Sequence, residues 1–231
     1  MRFVEYTGAG LRTADLLFTA PRRLAAVRLF PVVHIGRQRY YDALRRELDR
    51  CDYVLYELAG GQAQRAGHRV SYRWAARILG LTAQLDAFDY RHPPANWIHA
   101  DFSAPEWQQA RQRLPWYINL LLDQINLVTA LVALLLALLR RRDLIARLLA
   151  LVMEMESVLD QRTTVERVLV DERNAIILRR LAEVESRLAA ERHQAVVGIL
   201  YGAYHMPALA RALMGMGYSC VQAGWISEFV L

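Results

Sequence analysis

Three short apolar runs, each handing over to an ionisable residue, constrain this chain more than any other feature. Val27-Arg28-Leu29-Phe30-Pro31-Val32-Val33 leads into His34, and Asp52-Tyr53-Val54-Leu55-Tyr56 leads into Glu57. Ala195-Val196-Val197-Gly198-Ile199-Leu200-Tyr201 leads through Gly202-Ala203-Tyr204 into His205. Runs this short and this apolar are typical of strands covered on both faces. Helical patterns follow. Arg37 to Arg50 places Tyr41, Leu44, Leu48 and Cys51 at helical spacing, and Pro207 opens a helix toward Met216. Strand, helix, strand at both ends predicts an α/β fold. Its centre is a mixed, partly parallel sheet flanked by helices.

The rest of the chain is read the same way. Gly60-Gly61 is a break, Val70 to Leu81 a helix stopping near Gly80, and Leu85 to Tyr90 a strand. His92-Pro93-Pro94 is a loop and Asn96 to Phe102 an extended segment. Ser103 caps a helix with Pro105 and Glu106 in its first turn. From there to Arg192 the pattern is helical throughout. Thr163-x-x-Glu166 reads as a capping box, and Glu172 to Arg192 carries Ile176, Ile177, Leu181, Val184 and Leu188 on one side. Tyr218 to Val230 gives one or two closing strands. The expectation is one domain over 1–231, with a large all-helical insertion or cap over 104–192.

Leu127 to Leu139 carries no charge and is apolar on all sides. As a helix it spans roughly 20 Å, short of the ~30 Å hydrocarbon core of a bilayer. A second apolar segment, Leu144 to Met155, contains Arg147. The pair reads as buried in the fold or in an oligomer interface. It also reads as a membrane-associating hairpin with Arg140 to Arg142 at the headgroups. Asp123 and Arg147 count against a spanning hairpin. A helix apolar all round must be covered, so a homo-oligomer or contact with a membrane surface is expected. All 29 basic residues are Arg, with a formal net charge of +6. They are dispersed rather than gathered into a stripe, so nucleic acid is not expected as a partner. Cys51 and Cys220 form no zinc pattern and read as buried thiols. The start of the chain shows no secretory signal peptide. The expected location is the cytoplasm, peripheral to a membrane or inserted in it if the apolar hairpin engages lipid.

His34, Glu57 and His205 fall at one predicted edge. In open α/β sheets the carboxyl ends of the strands are where ligands bind. His99 and Asp101 stand two residues apart on an extended segment, so they share a face and join the set as substrate-binding candidates. Two imidazoles and a carboxylate suit a divalent metal such as zinc, manganese, cobalt or iron. The same groups also suit direct acid–base chemistry. His205 precedes a helix start, where the dipole favours its neutral form. Arg173, read at a helix start beside Asn174, is a candidate to bind a carboxylate or substrate anion. Each residue alone also has a plain structural reading: a hydrogen-bonded histidine, a salt-bridged glutamate, a solvated arginine.

Together these residues resemble the TraB/PrgY/GumN and Tiki group of metal-dependent hydrolases. That family is marked by two Gly-x-x-His motifs, an acidic residue ending the second core strand, and an Arg-Asn pair opening a late helix. Gly202-Ala203-Tyr204-His205, Val54-Leu55-Tyr56-Glu57 and Glu172-Arg173-Asn174 match these in order. The first histidine motif reads Pro31-Val32-Val33-His34, with proline in place of glycine. The resemblance runs from about 27 to 230. It implies an α/β fold of two related halves and hydrolysis of a peptide or other amide-like bond. It implies His34, Glu57 and His205 as ligands of a manganese, cobalt or zinc ion, and Glu57, His205, Arg173 and Asn174 as catalytic residues. The alternatives are an inactive protein of this fold that binds a peptide or signal, and a membrane-associated scaffold.

Overall fold

The computed structural model describes residues 1–7, 10–60, 73, 76–120, 122 and 164–226. Four strands form the parallel heart of the sheet: β3 (Ala25–Val32), β5 (Tyr53–Tyr56), β7 (Trp97–His99) and β8 (Ala195–Gly202). They lie in the order β3-β8-β5-β7, every neighbouring pair parallel. β2 (Gly10–Thr19) runs antiparallel beside β3, and β1 (Val4–Thr7) and β9 (Ser219–Trp225) pair antiparallel with β2. The fold is therefore α/β, with a mixed, partly parallel sheet flanked by helices.

Strand alternation divides the core into two layers. Val27, Leu29, Leu55, Val197, Ile199 and Tyr201 face one side. There they pack on Ile177, Leu181, Val184 and Leu188 of a long helix and on Leu209 and Leu213 of the C-terminal one. Phe30, Val32, Val54, Tyr56 and Leu200 face the other side, against Tyr40, Tyr41, Leu44 and Leu48 of helix α1 (Gln38–Leu48). Both layers are dry, which is why these strands carry apolar residues in succession instead of alternating with polar ones. Gly198 serves this packing directly. A Cβ there would lie 3.0 Å from Cys51 Sγ and 3.2 Å from the Phe30 ring. Cys51 and Cys220 are both free thiols, the first buried and the second half-buried.

Two departures from the sequence reading bear on the site. Leu85 to Tyr90 is not a strand. A two-residue strand β6 (Thr82–Ala83) pairs with β4 (Ile35–Gly36), and a short helix α2 (Gln84–Ala87) follows. Phe88 and Tyr90 alternate inward as strand residues do, but they enter an aromatic cluster with Tyr41, Tyr56 and Trp97. β7 already occupies the adjacent sheet edge, so alternation here reflects side-chain packing with no ladder. The antiparallel pair β1–β2 is also absent from that reading, although half of its positions are buried on β2.

Helix α3 (Ala104–Gln112) starts as its sequence implies: Ser103 N–H and Oγ–H donate to Glu106 Oε2 at 2.8 and 2.6 Å. Helix α4 (Glu172–Glu191) starts where its sequence suggests, but it does not start afresh. A turn at Thr164–Glu166 passes through a π-helical turn, Arg167–Asp171, straight into it. Helix α5 (Met206–Gly215) follows β8. Leu127 to Leu139, Leu144 to Met155 and Thr163 lie outside the described residues, as do positions 70–72, 74 and 75 of the helix read over Val70 to Leu81. Among the described residues no helix is long and apolar enough to cross a membrane.

Candidate active site

Parallel register sets the site. Val32 of β3 pairs with Gly202 of β8, Tyr56 of β5 with Leu200, and His99 of β7 with Tyr56. All four strands therefore end on one rim, and the residues just beyond them gather there. Glu57 is one residue past β5, while His34 and Asp101 are two past β3 and β7. His205 follows β8 as the N-cap of α5. α4 crosses the same rim with Arg173 and Asn174 buried.

Arg173 is the hub. Its Nε and Nη2 grip Asp101 Oδ1 and Oδ2 at 2.9 and 2.7 Å in a forked pair. Nη2 also donates to Glu57 Oε1 at 2.5 Å. Nη1 donates to Leu169 O at 3.5 Å and faces His205 Nε2 at 3.2 Å. A guanidinium has five N–H donors, and these five contacts use them all. The π-turn contributes here: the Glu172 N–H bonds back to Arg167 O, as a π-turn requires. Such turns often sit at functional positions in helices. Because the helical path is continuous from Thr164, Arg173 does not stand at an open helix N-terminus. Ion pairing explains its burial, and the guanidinium also lies 5.4 Å from the Tyr201 ring centre.

Asp101 has no exposed side-chain surface. Besides Arg173 it accepts the Leu58 and Phe102 N–H groups at 3.1 and 2.8 Å. Its role is to hold the guanidinium. Glu57 is different, because 13% of its side chain is exposed at the rim. Its Oε2 accepts the Gly202 N–H at 2.6 Å. A Cβ at Gly202 would stand 3.1 Å from that oxygen, so close approach of a carboxylate is the reason for glycine. Burial pushes the Glu57 carboxyl up, but the positive charge of Arg173, with His205 and His34, overrides this and holds it at about 2.

His205 is locked. With Arg173 donating to Nε2, the ring proton sits on Nδ1 and donates to Asn174 Oδ1 at 2.8 Å. Burial first, then the adjacent guanidinium, lowers its pKa to about 4. The neutral form expected from the helix start is present, but desolvation and Arg173 are its main causes. Asn174 Nδ2 is buried with no hydrogen-bond partner, an arrangement that costs about 1–3 kcal/mol.

His34 lies at the open side, exposed, and its field is felt by both Glu57 and His205. Its Nδ1 donates to Gln84 Oε1 at 2.9 Å, and Gln84 Nε2 donates to Tyr90 Oη at 2.8 Å. The Gln84 N–H also donates to His34 O at 2.8 Å. This chain fixes the tautomer and leaves Nε2 as the basic nitrogen. His99 is not in the hydrogen-bonded cluster. Its Nε2–H donates to Leu58 O at 3.0 Å, and its ring packs on Tyr56.

The comparisons with known proteins add nothing to this picture. No family model, no curated protein and no solved structure matches the chain.

As arranged, the residues do not fit a metal ion. The Nε2 lone pair of His205 is turned to Arg173, and both Glu57 oxygens already accept hydrogen bonds. Among the described residues no three His, Cys, Asp or Glu are grouped to hold one. The guanidinium contacts Glu57 and His205, two of the three expected ligands. Among the described residues of the cluster, Glu57 and His34 are the least buried. Gln84, Tyr90 and Tyr201 were missed from sequence. Gln84 carries no motif, and only the fold brings it to His34.

Proposed function

We propose that this chain is a hydrolase of a peptide or other amide-like bond, TraB/Tiki-like in design, that works by direct acid–base chemistry at the sheet rim. The observation that carries the reading is the convergence of His34, Glu57, Asp101, Arg173 and His205 from five separate segments. Glu57 and His205 are lowered and Arg173 is raised, and perturbed groups gathered on a ligand-binding edge support a functional site.

In this mechanism His34 Nε2 takes a proton from the attacking water. Glu57 stays ionised and stabilises the imidazolium through space, and the proton then passes to the leaving amine. Arg173 holds Glu57 in place and keeps it charged. Asp101 and His205 hold Arg173. Arg173 reaches a substrate anion only by giving up one of its internal bonds, so its first role is positioning. A manganese, cobalt or zinc ion enters the site only by displacing the guanidinium.

The test is cleavage of a diverse peptide mixture, read by mass spectrometry, with wild type, His34→Gln and Glu57→Gln. Losing the His34 base costs typically about 10²–10⁴ in rate, and Glu57→Gln removes the charge that stabilises the imidazolium, so both variants should lose turnover while remaining folded. Cleavage that survives both substitutions removes the reading.

The saturation of Arg173 favours one competitor, a binding protein in which the cluster is a structural clasp. Absence of turnover together with retained peptide binding selects it. For assembly, we propose that Trp116, 77% exposed, and Tyr117, 56% exposed, belong to a contact surface. Exposed aromatics of this kind serve self-association or a membrane surface. Liposome flotation against light scattering separates the two.

A further inference from the structure

We propose that the Asn174 side-chain amide is a subsite for an uncharged carbonyl oxygen of the substrate; this rests on the hydrolase reading and names its ligand chemistry. Asn174 is 6% exposed, and Nδ2 is an unpartnered donor inside the cluster. Its orientation is fixed. Oδ1 accepts the Nδ1–H of His205, whose Nε2 is engaged by Arg173. Turning the amide over would set N–H against N–H, so Nδ2 cannot satisfy itself by exchanging places with Oδ1. No protein acceptor among the described residues reaches Nδ2. The acceptor assigned to it here is a substrate oxygen.

Charge selects the kind of acceptor. Glu57 and Asp101 are both paired with the single cation Arg173, and His205 is neutral. The buried groups carry one surplus negative charge, which repels a carboxylate or phosphate. An amide carbonyl offers the lone pairs that Nδ2 lacks without bringing further charge. Asn174 thus has two functions: Oδ1 fixes the His205 tautomer and Nδ2 binds the substrate oxygen.

The measurement is a titration of the wild-type protein, labelled with ¹⁵N at its four asparagines (Asn96, Asn119, Asn126 and Asn174). The probes are N-methylacetamide and acetate. N-methylacetamide should move one side-chain NH₂ pair downfield, the pair missing from Asn174→Asp, and acetate should leave that pair in place. If the substitution disturbs folding, assignment through the backbone of the wild type identifies the pair instead. An Asn174 pair that ignores N-methylacetamide, or follows acetate equally, overturns the inference. Peptide cleavage is a separate readout. Binding of the amide without cleavage of any peptide leaves this subsite standing and removes the hydrolase reading. Cleavage with an unmoved Asn174 pair removes this inference alone.

Discussion

Replacing Arg173 by methionine keeps much of the side chain's length and removes the hub of the cluster. Asp101, with 0% side-chain exposure, and Glu57, with 13%, would both lose their cation. Stranding a buried charge costs about 3–5 kcal/mol. For a protein of this size each kcal/mol moves Tm by about 2–4 °C, so the drop should be about 6–20 °C at pH 7. Arg113→Met is the control. It breaks the Arg113–Glu172 pair, whose side chains are 50% and 28% exposed. An exposed pair of this kind contributes little to stability.

The pH dependence gives a second, independent signature. In the wild type the Glu57 pKa, about 2, lies below its unfolded value of 4.5. Its stabilisation is therefore complete above pH 4.5 and is lost as pH falls through about 2. Without Arg173, burial dominates and pushes the Glu57 pKa above 4.5, so the charged form opposes folding and acid relieves it. The gap between wild type and Arg173→Met should therefore narrow as pH falls from neutral, above 4.5 because the variant recovers and below 4.5 because the wild type loses stability. Urea unfolding at pH 7 and pH 4 reads both quantities. A cost no larger than that of Arg113→Met, or a gap that does not change with pH, would refute the hub.

Gly202→Ala sets a Cβ 3.1 Å from Glu57 Oε2. It should displace the carboxylate from the Gly202 N–H and cut peptide turnover more than tenfold with a loss of only about 1 kcal/mol in stability; unchanged turnover argues against Glu57 as a working group. Gly198→Ala drives a methyl into Cys51 and Phe30, away from the rim. It should destabilise by about 1–3 kcal/mol in urea unfolding and leave turnover of the folded protein unchanged. The His205 pKa, about 4, lies below its unfolded value of 6.5. Its contribution to stability is present above pH 6.5 and falls by about 3 kcal/mol as pH drops toward 4. His205→Asn should flatten the stability profile across that window, and identical slopes would contradict the buried neutral assignment.

The strands that carry the site could be read from sequence because parallel strands buried on both faces are nearly pure in composition. β3, β5 and β8 announce themselves that way, and their last residues point to His34, Glu57 and His205. β1 and β2 escape because β1 lies at the sheet edge and β2, although interior, mixes buried with half-buried positions. Phe88 and Tyr90 mislead because alternation records which side chains are buried and cannot say whether a partner strand exists. The order of the cluster was hidden for a related reason. Arg173 reaches Glu57 across 116 residues of sequence and Asp101 across 72, and local patterning carries no record of such pairs. A lone arginine near a helix start reads equally well as a surface residue. The π-turn before it has no composition signal, yet it lies on the segment whose Leu169 carbonyl receives Nη1. Gln84 lies on a four-residue helix that periodicity is too short to detect.

The account turns on what occupies the centre of the rim. A crystal grown with manganese, read by anomalous scattering, decides this directly. The prediction is a guanidinium bridging Glu57 and Asp101, with His205 Nε2 facing it and no metal peak between the three. A manganese peak ligated by His34, Glu57 and His205, with Arg173 swung away, would contradict it.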